Sequence, residues 1–158
     1  MKSCINVMQQ DWQTHQKVMR AIRTQVFIEE QQVPVALEWD GLDDDSTHVI
    51  AFWQQQAAGT ARILNDGHIG RMAVLSLYRN KGIGSQMLTT LIDIAQQRQL
   101  NRVFLHAQMS AVKFYEKHHF SIISDQFMDA NIPHVTMQLM LNQGLDNELE
   151  NHSQCSVE

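Results

Sequence analysis

Six residues near the centre of the chain, Arg79-Asn80-Lys81-Gly82-Ile83-Gly84, place two cations and two glycines just before an apolar helical periodicity. Such a stretch can hold an anion. A helix starting near Asn80 or Lys81 leaves its first backbone N–H groups unpaired, and the helix dipole adds about half a positive charge there. Glycine at 82 and 84 removes side chains that would keep an anion away from those amides. Three familiar motifs fail on this stretch. It has no Gly-Lys-Ser/Thr for a P-loop. Met87 stands where a dinucleotide fingerprint needs its third glycine, and Asn101 and Arg102 stand where its acid belongs. Ser85 is followed by Gln86 and Met87 rather than by the Gly of a nucleophile elbow. An anion site and a loop with a solvated charged rim both remain open at this level.

Other chemistry is thinner. The eight histidines include no His-Glu-x-x-His, and no Cys-x-x-Cys accompanies them, so no metal site is expected. Cys4 and Cys155 lie near opposite ends and read as two reduced thiols. Net charge is −5, of which Asp146, Glu148, Glu150 and Glu158 contribute −4. The remaining 12 basic and 13 acidic residues nearly balance. A near-neutral body argues against nucleic acid, whose binding needs many cations to displace counterions. No apolar run is long enough for a membrane span, and "MKSCINVMQQDW" lacks the apolar centre of a signal peptide. The expectation is a cytoplasmic protein with no nucleic-acid or membrane partner.

The elements that must position the site follow from periodicity. Cys4–Met8 reads as a strand. Trp12, Val18, Met19, Ile22 and Val26 mark a helix to Phe27 or Ile28. The acidic segment Glu29–Thr47, with Pro34 and Gly41, reads mostly as loop. His48–Gln55 and Gly59–Asn65 form β-rich runs joined through Gln56–Ala58, and Asp66-Gly67 turns the chain into a third antiparallel strand, His68–Leu75. Ile83, Met87, Leu88, Leu91, Ile94 and Ala95 lie on one helical face that runs to about Gln99. Arg102–Gln108 alternates as a strand, so strand, helix and strand make a right-handed parallel crossover. Ser110–His118 is a short helix with Ser110 as its N-cap. Two strands follow around "MDANIP". The sum is one α+β domain over residues 1–142, about seven mostly antiparallel strands in a mixed sheet with three to four helices, and an acidic, flexible tail over 143–158.

Arg79-Asn80-Lys81-Gly82-Ile83-Gly84 resembles the Gln/Arg-x-x-Gly-x-Gly/Ala loop of the GNAT superfamily of acyl-CoA-dependent N-acyltransferases. The context is similar too. A strand precedes the loop, a helix and a parallel strand follow, and a short helix then carries Ala111-Val112-Lys113-Phe114-Tyr115. The likeness spans about Ile5 to Leu141. "RTQVFIEEQQVP", "EWDGLDDDSTH", "GTARI", "IGRMAV" and "NIPHVTM" are similar to the ElaA-like and YjcF-like subgroup. Two positions depart from the family pattern: His119 replaces the usual Gly before Phe120, and Gln108 stands where Asn is frequent.

The resemblance implies acetyl-CoA as co-substrate, without a metal, and direct transfer of the acetyl group to a primary amine in a ternary complex. The amine would belong to a small molecule or a peptide. A coenzyme A-binding module without catalysis is the alternative. Relatives are often homodimers. Backbone amides from Arg79, Asn80, Lys81, Gly82, Ile83 and Gly84 would hold the pyrophosphate. Backbone groups of Met72, Ala73 and Val74 would pair with the pantetheine arm where two parallel strands splay. Gln108, Phe114 and Tyr115 would line the far wall, and Tyr115 takes the general-acid position. A base is needed because a lysine-like amine has a pKa near 10.4. Glu29, Glu30, Asp40, His48, His106 and His134 are candidates, with Glu30 and His134 preferred. Arg23, Arg62 and Arg71 either orient an anionic acceptor or pair with the acidic loop.

Overall fold

The computed structural model describes residues 4–141; the acidic tail and Cys155 lie outside them. Strand β1 (Ile5–Gln10) leads into α1 (Trp12–Arg23), which opens at Asp11, whose carboxylate accepts from the Thr14 amide at 2.9 Å. Helical winding continues as a π-helical segment, Thr24–Glu30, where a plain helix to Phe27 or Ile28 is expected. The acidic segment is less of a loop than its composition suggests. It contains a one-turn helix α2 (Val35–Glu38) and a 3₁₀ turn, Asp43–Asp45.

Strands β2 (Thr47–Trp53), β3 (Gln56–Ile63) and β4 (Ile69–Val74) complete an antiparallel sheet in the order β1-β2-β3-β4. Gln56–Ala58 belongs to β3, and the turn falls earlier, at Gln54 and Gln55, both with positive φ. After the Arg79–Gly82 loop, α3 (Ile83–Gln97) crosses to β5 (Arg102–Gln108). A 3₁₀ turn and α4 (Val112–Lys117) come next. Ala111, not Ser110, is the N-cap of α4, and it makes no side-chain cap bond. Strands β6 (Ser121–Ile122) and β7 (Phe127–Asp129) both pair with β8 (Ile132–Met140), which pairs with β5 on its other side. The expected penultimate strand is thus two short pieces.

The two sheets touch by one parallel bridge, His68 to Phe104, with the Phe104 amide donating to the Gly67 carbonyl at 3.1 Å. Beyond it β4 and β5 part, so the parallel pair is splayed. A bulge in β4 helps to open it: Arg71 and Met72 together oppose Ala61, and Arg71 has φ +51°. The core lies between the sheets and α3, where Met87, Leu88, Leu91, Val103 and Met137 are fully buried.

A second buried layer is ionic. Arg23, 1% exposed, donates to Glu38 at 2.7 Å and to Asp43 at 2.6 Å. Arg62 reaches Asp43 at 2.9 Å and also pairs with Asp40. Arg71 lies 3.3 Å from Glu38 and 3.2 Å from Asp40. The acidic segment is therefore tied down by the three arginines that the sequence left between two roles. His48 is buried beside this layer, stacked on Trp12 with Nε2 2.9 Å from the Asp43 carbonyl.

Burial holds the pKa of His48 and His68 below the usual 6.5. The unfolded chain then takes up protons first, so their contribution is complete above 6.5 and is lost as pH falls through it. Glu38, raised by burial, works in the opposite sense. The melting temperature should be level above pH ~7 and decline between pH ~6.5 and ~5, before most carboxylates titrate. A melting temperature that holds or rises over that interval would contradict this account.

Candidate active site

The splay between β4 and β5 opens into a cleft of about 460 Å³. Its size falls within the range of small-ligand sites. Met72 and Arg71 come from β4, His106 and Gln108 from β5, Tyr115 from α4, Gln31 from the end of the π-helical segment, and His134 from β8. The two sheets thus supply opposing walls, and the α1–α2 region closes the side.

Tyr115 spans the gap. Its hydroxyl donates to the Met72 sulfur at 3.7 Å, a weak acceptor that leaves the phenol available. Burial pushes its pKa up to about 12, so the group is a protonated donor throughout the neutral range. Phe114 packs edge-on against Tyr115 and lies against the start of α3; a Cβ on Gly84 would meet its ring at 3.5 Å. It therefore walls the loop side rather than the cleft.

His134 is buried at the far wall, opposite Gln108 in the β5–β8 register. Its Nδ1 lies 2.6 Å from the Ile132 carbonyl. A carbonyl can only accept, so Nδ1 carries the proton and Nε2 of the neutral ring offers its lone pair. Gln108 donates to Gln31 at 2.9 Å, tying β5 to the π-helical segment. Glu30, the other preferred base, is placed elsewhere. It is paired with Arg79 at 2.8 Å and does not line the cleft. Among the remaining candidates, His106 lines the cleft, with its pKa lowered by burial, and Asp40 is held down to about 2 against the cost of its burial by its bond to Arg62. His48 is enclosed in the ionic layer.

The loop is close to the arrangement read from its residues, with two adjustments. First, α3 starts at Ile83, after Asn80 at φ +63° and Gly82 at φ +86°. Gly82 takes the left-handed conformation there at little cost. Second, the Arg79 amide donates to the Ser76 carbonyl at 3.3 Å, and the first backbone bond inside the helix runs from Gln86 to Gly82 at 3.1 Å. Among the described residues no acceptor is taken by the amides of Asn80, Lys81, Gly82, Ile83, Gly84 and Ser85. The free amides therefore begin at Asn80 rather than Arg79. The Arg79 side chain donates to the Val74 carbonyl at 2.9 Å, and the Lys81 ammonium sits 4.8 Å over the Trp53 ring. On β4, the Ala73 carbonyl is turned toward β3, where a Cβ on Gly59 would meet it at 2.8 Å. Alternation along a strand then leaves Met72 and Val74 to face the gap.

Two features went unread in the sequence. The first is the bulge through which Arg71, already a candidate for orienting an anionic acceptor, reaches the cleft; Gly70 inside a strand was the available signal. His68 also lines the cleft, stacked on Phe104 and edge-on to His106. Among the described residues no cluster of His, Cys, Asp or Glu could hold a metal ion, and no helix is long and apolar enough to cross a membrane.

Residues 10–141 match the family model described as an acetyltransferase (GNAT) domain. The chain is 34% identical over 120 residues to the Bacillus subtilis protein called uncharacterized N-acetyltransferase YjcF, covering 73% of this chain and 86% of that one. The fold is similar to the crystal structure of an acyl-CoA N-acyltransferase from Pseudomonas aeruginosa, with TM-score 0.75, 26% identity and coverage of 85% and 98%. It is likewise similar to Escherichia coli ElaA, with TM-score 0.75, 22% identity and coverage of 85% and 98%. With its splayed sheet, its glycine loop and a family match across nearly all the described residues, the chain belongs to the GNAT acetyltransferase family.

Proposed function

We propose that the protein transfers an acetyl group from acetyl-CoA to the primary amine of a small molecule, directly and within a ternary complex. The observation that carries this reading is the row of free amides from Asn80 to Ser85 at the mouth of a 15-residue helix. It fits a pyrophosphate. The loop opens beside a splayed gap in which Met72 and Val74 can offer backbone groups to an extended arm. The thioester supplies an activated acyl carbon.

This chain's residues do the rest. His134 Nε2 takes a proton from the acceptor ammonium, and the freed nitrogen forms the new C–N bond as the C–S bond breaks. Tyr115 donates to the departing sulfur, and the second proton that the nitrogen sheds on becoming an amide makes good the one the thiol takes. The products are the acetamide and free coenzyme A thiol, and no other reactant is required. Among the described residues none that lines the cleft is a cysteine, so an acyl-enzyme route finds no nucleophile of that kind among them. We infer a cytoplasmic location, which the proposed use of acetyl-CoA as donor supports.

Acetyl-CoA at about 100 times its dissociation constant should stabilise the fold by roughly 2.7 kcal/mol, whereas ATP and NAD should not. The thermal shift measures this, and a shift with ATP or NAD but none with acetyl-CoA would refute the reading. Thiol release with a panel of amines then separates catalysis from a module that only binds coenzyme A.

A further inference from the structure

The conformation of Arg71 sets it apart within its strand. Its φ of +51° falls inside β4, at the bulge where it and Met72 oppose Ala61. A non-glycine residue in that region is strained, and it persists where its surroundings over-determine it. The bulge re-aims the side chain, here into the cleft. Arg71 Nη2 donates to the carbonyls of Leu37 and Glu38, each at 3.1 Å, and to Asp40 at 3.2 Å, while Nε lies 3.3 Å from the Glu38 carboxylate. Among the described residues nothing accepts from Nη1. A guanidinium has five N–H donors in a fixed fork. The side chain is 25% exposed, so an oriented, partly desolvated donor pair remains for a ligand.

The surrounding charges decide which ligand. Arg23, Arg62 and Arg71 are balanced by Glu38, Asp40 and Asp43, so this wall carries no net charge. Both Asp40 oxygens, one Glu38 oxygen and one Asp43 oxygen are engaged by guanidinium groups, and Glu38 and Asp43 are almost wholly enclosed. An ammonium finds no unpaired exposed carboxylate here, whereas an anion finds a waiting donor. The opposite wall has the reverse character. Asp129 lines it near His106 and His134, with no cation paired to its carboxylate among the described residues. The cleft lining also includes the apolar side chains of Val33, Leu37 and Leu42.

We propose that the acceptor is a small amino carboxylate with an apolar side chain. Arg71 Nη1 holds its carboxylate, and its amine is directed to His134. This inference rests on the acyltransferase reading above. The transfer is unchanged: the acetyl C–S bond breaks, the amide C–N bond forms, and the carboxylate stays an ionised spectator.

The test compares three acceptors that share one side chain: leucine, leucine methyl ester and 3-methylbutylamine. Acetyl-CoA is the donor and thiol release the readout, using the full chain. Leucine should exceed the other two in kcat/KM by roughly 10–100-fold, as expected for one charge-assisted hydrogen bond. Arg71→Gln should bring the three within about threefold of one another, while the thermal shift with acetyl-CoA persists. If Arg71→Gln does not fold, Arg71→Lys and the wild-type acceptor series still decide the matter. Equal or better turnover of the carboxylate-free amine by the wild type overturns the inference and leaves the acyltransferase reading intact. So does an undiminished preference for leucine in a folded Arg71 variant. Absence of turnover with every amine overturns both.

Discussion

Tyr115→Phe should lower kcat by about 100-fold, the usual cost of removing one donor aimed at developing charge. The fold should barely notice. The ring keeps its packing against Phe114 and Phe120, and the lost bond runs only to the Met72 thioether. The thermal shift with acetyl-CoA should persist, because the loop amides are untouched. The pH profile makes the assignment sharper. Because burial raises the phenol to about 12, the donor form persists across the working range. Loss of the tyrosine proton therefore cannot cause a fall in rate between pH ~8 and ~10. A free thiol ionises near 8.5, so a phenol this reluctant to ionise acts chiefly by hydrogen-bonding the departing sulfur. Unchanged turnover in Tyr115→Phe would remove Tyr115 from the mechanism. A basic limb near pH 9 that vanishes in the variant would show that the phenol ionises far more easily than its burial allows.

Much of this site could be read from residue order because its parts are local. The glycine loop, the apolar face of α3 and the Ala111–Tyr115 helix each occupy a few consecutive residues, and backbone preferences decide them. The long strands followed for the same reason. What escaped depends on pairing across the chain. The bulge at Arg71 exists only as a mismatch between β3 and β4. The occupation of Glu30 by Arg79 joins residues 49 apart, and the link from Gln31 to Gln108 joins residues 77 apart. The acidic segment read mostly as loop because composition does not reveal that three arginines on other elements bury two of its carboxylates. His134 was legible as a candidate, but its tautomer depends on the carbonyl of Ile132 and so on the turn between β7 and β8.

Arg23→Met should cost about 3–5 kcal/mol, because it breaks a buried ion pair on one side only. Methionine can fill the space near Trp12 and Trp39, over which the guanidinium now lies. It cannot answer Glu38 and Asp43, whose side chains are 3% and 8% exposed. Two guanidinium groups would then face three carboxylates. For a chain of this length the loss should lower the melting temperature by roughly 10 °C or more. The pH dependence distinguishes this cause from a packing defect. Burial already raises the pKa of Glu38 despite three nearby arginines, and losing one of them removes a force that lowers it. Protonating Glu38 removes the excess charge, so the deficit against wild type should shrink as pH falls from ~7 to ~5. His48 acts in the same sense, because the Arg23 charge is one of the causes that hold its pKa down and losing it eases protonation as pH falls. Asp43→Asn in the Arg23→Met background should recover part of the loss at neutral pH, since it removes one unanswered charge. A deficit below about 2 °C, or one that does not change with pH, would mean that the buried ionic layer does not hold the acidic segment against β3 and β4. If the layer does hold it, Arg23→Met should also weaken acceptor selection more than acetyl-CoA binding, because Glu38 and Asp40 orient Arg71 while the loop amides lie beyond the layer's reach.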